Sequence, residues 1–298
     1  MKIKFYAGPV LLSSMLLVAC GGNHESDKNT ASDAVLSDST SIVIDSSSVT
    51  DEEHEVSYRL PSALHIAHVF KKSGSSFVPS LLNNTENFHK YNTSNFKRAT
   101  NFGVYSSDLA YCIFNKQYQE SKQYLKACKD VGAYLGLNRA FDSDEHIIER
   151  FDKNITNEDT LIMIVSNIQL KTDVMFEQNK QKHITAVAFA GAWSESTYIA
   201  SEVYTKDKNK KVLANLLEQL MLSETIIKAL KHYEKAEPEM AQLLVMIEKI
   251  NADFNNIASV KAALEKDEEV DFEKLKVTDA ELKAVTESIH SLRKHIVE

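Results

Sequence analysis

His183-Ile184-Thr185-Ala186-Val187-Ala188-Phe189-Ala190-Gly191-Ala192-Trp193-Ser194-Glu195-Ser196-Thr197-Tyr198-Ile199-Ala200-Ser201-Glu202-Val203-Tyr204 decides the fold. Wound at helical pitch, this stretch places apolar or small residues on nearly every side. A surface helix keeps a polar face, so a helix without one is buried on all sides. The segment therefore reads as the central helix of an all-helical protein. Gly191 interrupts it, and Gly inside a helix costs up to ~1 kcal/mol relative to Ala. Close approach by a neighbouring helix backbone explains why a glycine stands there.

The neighbour suggests itself by an internal echo. Gly103-Val104-Tyr105-Ser106 repeats the pattern of Gly191-Ala192-Trp193-Ser194. It lies within a second helical stretch, Ser94 to about Lys116. Upstream, His65-Ile66 with Phe70 and Lys72 echoes His146-Ile147 with Phe151 and Lys153 at the same spacing. Further helices read from Pro61 to Gly74, Glu120 to Leu135, Ser143 to Lys153, Val212 to Tyr233, Pro238 to Phe254 and Asp279 to Val297. Thr156 with Asp159 resembles a capping box opening another, which runs to about Gln178. Leu161 to Val165 alone has strand character, but its cap and context favour helix. Phe77 to Leu82 is a short segment containing Pro79. Beyond Ser57 the only glycines are Gly74, Gly103, Gly132, Gly136 and Gly191, too few turn residues for a sheet protein of this length. The expected fold is an all-α bundle or array of about eight to ten helices, read as two pseudo-repeated four-helix halves plus C-terminal helices.

The N-terminal part differs. Lys2 and Lys4 precede an apolar run from Val10 to Leu17, too short for a membrane span of roughly 20 residues, and Leu17-Val18-Ala19-Cys20 follows. That order is a secretory signal segment. Its end resembles a bacterial lipobox, which implies cleavage before Cys20, acylation of Cys20 and firm attachment by several acyl chains. Residues 21–57 hold nine acids and one base, Lys28. The overall charge of −8 is therefore that of a tether and leaves the remainder near neutral. Rich in Ser and Asp, with Ile42-Val43-Ile44 as its apolar island, the tether reads as disordered. Its reach is about 33 Å. The expected division is 1–19 signal peptide, 20–57 acylated cysteine and tether, and 58–298 helical domain. No basic patch argues for nucleic acid.

The run Asn101-Phe102-Gly103-Val104-Tyr105-Ser106-Ser107-Asp108-Leu109-Ala110-Tyr111, the later Ala190-Gly191-Ala192-Trp193-Ser194-Glu195, and the lipobox together resemble an uncharacterised family of helical lipoproteins of bacteroidete cell envelopes. The resemblance implies fold and location and carries no activity. Gly21 after Cys20 resembles outer-membrane sorting, and the first acid, Glu25, stands too far along for the surface-export pattern. The periplasmic face is the expected side. Asp38-Ser39-Thr40 resembles a bacteroidete O-glycosylation motif.

Tyr105, Asp108 and Tyr111 fall roughly on one helical face. With Trp193 and Glu195 they are candidates to line a ligand groove between the glycine helices. Asp108 with Glu195 also has the composition of an acid/base pair, although a satisfied polar knot accounts for it more simply. Glu86/His89, Glu287/His290 and His65/His68 have metal-ligand spacing. The pairs stand isolated, so no metal or cofactor is assigned. The Gly-x-His-x-x-Glu motif of the imelysin-type lipoproteins is absent, as are triad, P-loop and dinucleotide fingerprints. Cys112 and Cys128 are either a disulfide across a helical hairpin or two free buried thiols. The functional expectation is a lipid-anchored envelope protein that binds a protein, glycan or small ligand. The alternatives are a hydrolase or metal-dependent enzyme using Asp108, Glu195 or His, and a structural spacer.

Overall fold

The computed structural model describes residues 75–142, 147–233, 235–236, 238–266 and 270–298. The signal segment, Cys20, the tether, the Pro61 helix, His65/His68 and the upstream half of the echo lie outside them. Among the described residues the chain is all-α, with ten α-helices and three short 3-10 segments. The helices are α1 Asn95–Phe114, α2 Tyr118–Tyr134, α3 Asn138–Asp142, α4 Ile147–Lys153, α5 Glu158–Gln178, α6 Lys182–Asp207, α7 Lys210–His232, α8 Met240–Asn255, α9 Ala258–Leu264 and α10 Asp279–Val297.

Helix α6 is the central helix that its composition requires. Every residue from Phe189 to Thr197 is buried, and Trp193 is fully enclosed. Burying each large apolar side chain of this kind contributes about 1.5–3 kcal/mol. The most extensive helix contact is α6 against α1. Helix α1, paired with α2 in a hairpin, packs on α6, and so does α7, which in turn packs on α8. Helix α10 closes over α6 and α8 and touches α1.

The α1–α6 crossing is built on the two glycines. A Cβ on Gly103 would overlap the Ala188 carbonyl oxygen and sit 2.7 Å from Ala192 N. A Cβ on Gly191 would overlap the Thr100 carbonyl oxygen and sit 2.7 Å from its carbon. Ala188 stands three residues before Gly191, and Thr100 three before Gly103. Each glycine thus meets the equivalent carbonyl of the other helix, as in an isologous contact. Both hairpins then turn through a left-handed lysine, Lys116 after α1 and Lys208 after α6. The correspondence stops there. The element before α6 is the 21-residue α5, whereas a 3-10 segment, Thr85–Tyr91, precedes α1. Among the described residues the relation therefore covers two helical hairpins, and the elements directly before them do not match.

Helix boundaries follow local capping chemistry. Ser94 caps α1 by accepting from Lys97 N. Asn157, one residue beyond the expected Thr156, caps α5 by accepting from Thr160 N. Amide and hydroxyl acceptors are both good caps, and Asn157 has the extended backbone the cap position needs. Leu161 to Val165 is helical within α5. Thr278 and Glu281 form a capping box that opens α10. Pro238 lies in a turn, and α8 starts at Met240.

Candidate functional site

The end of α10 is tied to the start of α1. Lys97 Nζ donates to the His295 and Ile296 carbonyls at 2.8 and 3.2 Å, and Asn101 Nδ2 donates to Ile296 O at 3.0 Å. These side chains satisfy carbonyls that a helix C-terminus leaves open. The docking brings Arg293 over α6. Its Nε donates to Glu195 Oε2 at 3.0 Å and its Nη2 to Oε1 at 3.1 Å. The guanidinium also lies over the Tyr198 ring, 4.6 Å from its centre, and Nη2 reaches Leu81 O at 3.3 Å. A bidentate fork of this kind fixes orientation as well as charge.

Asp108 of α1 meets Glu195 at the same place. Both are fully buried. Burial pushes the Asp108 carboxyl well above the usual carboxylate range, and the Glu195 charge pushes it further. Burial also raises Glu195, and the Arg293 charge and hydrogen bonds offset part of that rise. Glu195 is therefore the ionised member, and Asp108 keeps a proton. That proton accounts for Asp108 Oδ1, which no ordinary donor serves: protonated, it donates to Glu195. Asp108 Oδ2 accepts from Asn83 N at 3.2 Å. The cluster Arg293–Glu195–Asp108 is then neutral overall, which makes its burial tolerable.

Around it, tyrosines clamp the segment before α1. Tyr105 donates to Asn84 O at 2.9 Å and Tyr124 to Asn83 O at 3.0 Å. Tyr91 exchanges hydrogen bonds with the Asn83 side chain. Tyr111 OH accepts from Val78 N at 3.3 Å. Burial raises the Tyr105 and Tyr124 hydroxyls far above the ordinary phenol value, and Tyr111 to about 12, so all three stay protonated.

Tyr105, Asp108, Tyr111, Trp193 and Glu195 line no groove; all five are interior. Close glycine contact removes the space that a groove between α1 and α6 would need. Trp193 packs in the core and donates from Nε1 to Gln219 O at 2.8 Å. Cys112 and Cys128 are free and buried. Cys128 Sγ lies 3.8 Å from Ser106 Oγ. Burial pushes the Cys128 thiol up to about 12 and raises Cys112 likewise. A buried thiol is inert, so iodoacetamide is expected to modify neither cysteine in the folded chain and both in urea; modification of either without denaturant would contradict this placement. His290 pairs with Glu202 at 2.9 Å. Among the described residues no three His, Cys, Asp or Glu side chains converge as a metal set would.

Beside the knot is an open cleft of about 410 Å³. Its polar lining comes from Asn83, Asn84, Asn87, Lys90, Arg293 and Glu298. Leu82 and Val297 complete it. Sequence reasoning missed this site because Arg293 and the Asn83 segment are more than 200 residues apart. One signal was available: a lone arginine beside the apolar stripe Ile289, Leu292 and Ile296, which are all buried.

Among the described residues no helix is long and apolar enough to cross a membrane. No protein-family model, curated protein or solved structure matches the chain.

Proposed function

We propose that the chain is a lipid-anchored envelope protein, held by Cys20 to the periplasmic face of the outer membrane, that binds a small polar ligand without transforming it. The cleft beside Arg293 is the binding site in this reading, in place of a groove between the glycine helices. One observation carries it: a guanidinium locked by a fully buried carboxylate and presented to an open, amide-lined cavity. A volume of this size is within the range of small-molecule sites, roughly 300–1,000 Å³. The enzymatic alternative loses its acid/base pair, since Asp108 and Glu195 are closed to solvent.

The site is tested by filling it. Asn87→Trp places a large ring in the cleft; it gives up the Asn87 amide's hydrogen bonds to Asn83 and Tyr91 but keeps Arg293, Glu195 and Asp108. The detergent-solubilised full chain is melted with and without a low-molecular-weight envelope extract. Ligand that binds only the folded state raises the melting temperature. The expected result is a rise for the wild type and none for Asn87→Trp. No rise in either, or equal rises in both, contradicts the assignment.

The anchor is tested separately. Cys20→Ser is expected to move the protein from the membrane pellet to the soluble fraction. Retention of that variant at the wild-type level contradicts lipid anchoring.

A further inference from the structure

The charges lining the cleft are unequally matched. Arg293 is neutralised by Glu195. Glu298 pairs with Lys294 at 3.7 Å. Lys90 is exposed and pairs with no acid among the described residues. Lys90 is therefore the cation of the lining with no acid partner among the described residues, while Glu298 adds negative charge at the rim. Arg293 spends Nε and Nη2 on Glu195 and Leu81, and its Nη1 donates to no described residue. Asn84 uses its side-chain oxygen to accept from Glu86 N, which leaves its amide protons available.

We infer that, within the binding role proposed above, the cleft takes the carboxylate of its ligand between Lys90 Nζ and Arg293 Nη1, with the Asn84 amide as a further donor. The Lys90 charge suits a monoanion; a phosphate dianion would bring a second negative charge beside Glu298. Ammonium and guanidinium hydrogen bonds to a carboxylate are roughly twice as strong as neutral ones. The Arg293 head needs little ordering, because Glu195 and the Tyr198 ring already fix it, and preorganisation lowers the cost of binding. The source of the carboxylate is an acidic sugar or a peptide C-terminus. Leu82 and Val297 give an aliphatic wall and no aromatic platform, which suits a short peptide end as well as a sugar.

The test is a titration of the solubilised full chain followed through its asparagine side-chain amide NMR signals. Acetate and acetamide are the minimal pair, identical in shape and different in charge. Glucuronate against glucose, and N-acetyl-dialanine against its amide, distinguish the two sources. Acetate is expected to shift the Asn84 and Asn87 signals at least tenfold more tightly than acetamide. Lys90→Met is expected to remove that preference with the melting temperature unchanged, since Lys90 is exposed. One of the two larger acids should bind more tightly than acetate, and whichever does identifies the source. If neutral and charged probes bind equally, or Lys90→Met keeps the preference, the carboxylate inference falls while the cleft stands. If neither acetate nor any larger probe perturbs either asparagine, the carboxylate inference falls, and the extract melts with Asn87→Trp then decide the cleft independently.

Discussion

Gly191→Leu is expected to melt far below the wild type or to fail to fold. A Cβ at Gly191 overlaps the Thr100 carbonyl oxygen and lies 2.7 and 2.9 Å from the Thr100 C and Cα. Those are backbone atoms, so no side-chain rotation relieves the clash. Overpacking costs typically about 1–3 kcal/mol, and better helix propensity returns up to ~1 kcal/mol. Here two helix axes must separate, which places the cost at or above the top of that range. Gly191→Ala and Gly103→Ala are expected to destabilise too, because the first added carbon already collides. Gly132→Ala is expected to matter less, since its nearest neighbour is the Phe141 ring edge at 2.9 Å, part of a side chain. Thermal melts of the full-chain variants decide the matter. An unchanged melting temperature for Gly191→Ala would remove the backbone contact from the account.

Glu195→Gln is expected to cost about 3–5 kcal/mol, the usual loss when one member of a buried ion pair is removed. The Gln amide can accept from Arg293 at one atom only, and the guanidinium charge loses its counter-ion. The lower part of the range is expected, because the Arg293 side chain is 19% exposed and water can partly solvate it. Arg293→Met leaves Glu195 with no cation at zero exposure, so Glu195 takes up a proton and the charge is lost. The double variant is expected to be less damaging than the sum of the two, since it leaves neither the unpaired guanidinium of one single change nor the buried, protonated Glu195 of the other. Urea denaturation measures all three. Strict additivity would mean that Glu195 and Arg293 do not act on one another.

Local chemistry made much of the fold readable. Apolar patterning placed α1 from about Ser94, and α10 runs from Asp279 to Val297 as its amphipathic pattern requires. The glycines of α1 and α6 pointed to a close crossing, which is where the helices meet. The short elements were not readable. Asn138–Asp142, Ala258–Leu264 and the 3-10 segment Thr85–Tyr91 are too brief for periodicity to register. The candidate residues were located by motif, but their setting was not. Asp108 and Glu195 do come together, yet the cation that makes this possible, Arg293, lies 98 residues from Glu195. Asn83, Tyr91 and Tyr124, which complete the knot, carry no motif. Long-range partners chosen by packing leave no local trace, and burial turned an expected groove into an interior anchor whose one exposed edge is Arg293.

That anchor is tested most directly by the pH dependence of stability in the wild type and in Asp108→Asn. The Asn side chain mimics the protonated acid: its oxygen can accept from Asn83 N and its amide can donate to Glu195. In the wild type the folded state holds a proton on Asp108 that the unfolded chain releases near an ordinary Asp value of about 3.9. A raised carboxyl value means stability is full below that pH and falls as pH rises toward the folded value. Asp108→Asn has no such proton, and other titrating groups cancel in the difference between the two proteins. Denaturation from pH 4 to 8 is therefore expected to show the variant gaining on the wild type as pH rises, by up to about 1.4 kcal/mol per unit while Asp108 stays protonated. Parallel curves, or a wild type that gains on Asp108→Asn with rising pH, would contradict a protonated Asp108 and with it the neutral buried knot that holds Arg293 in place.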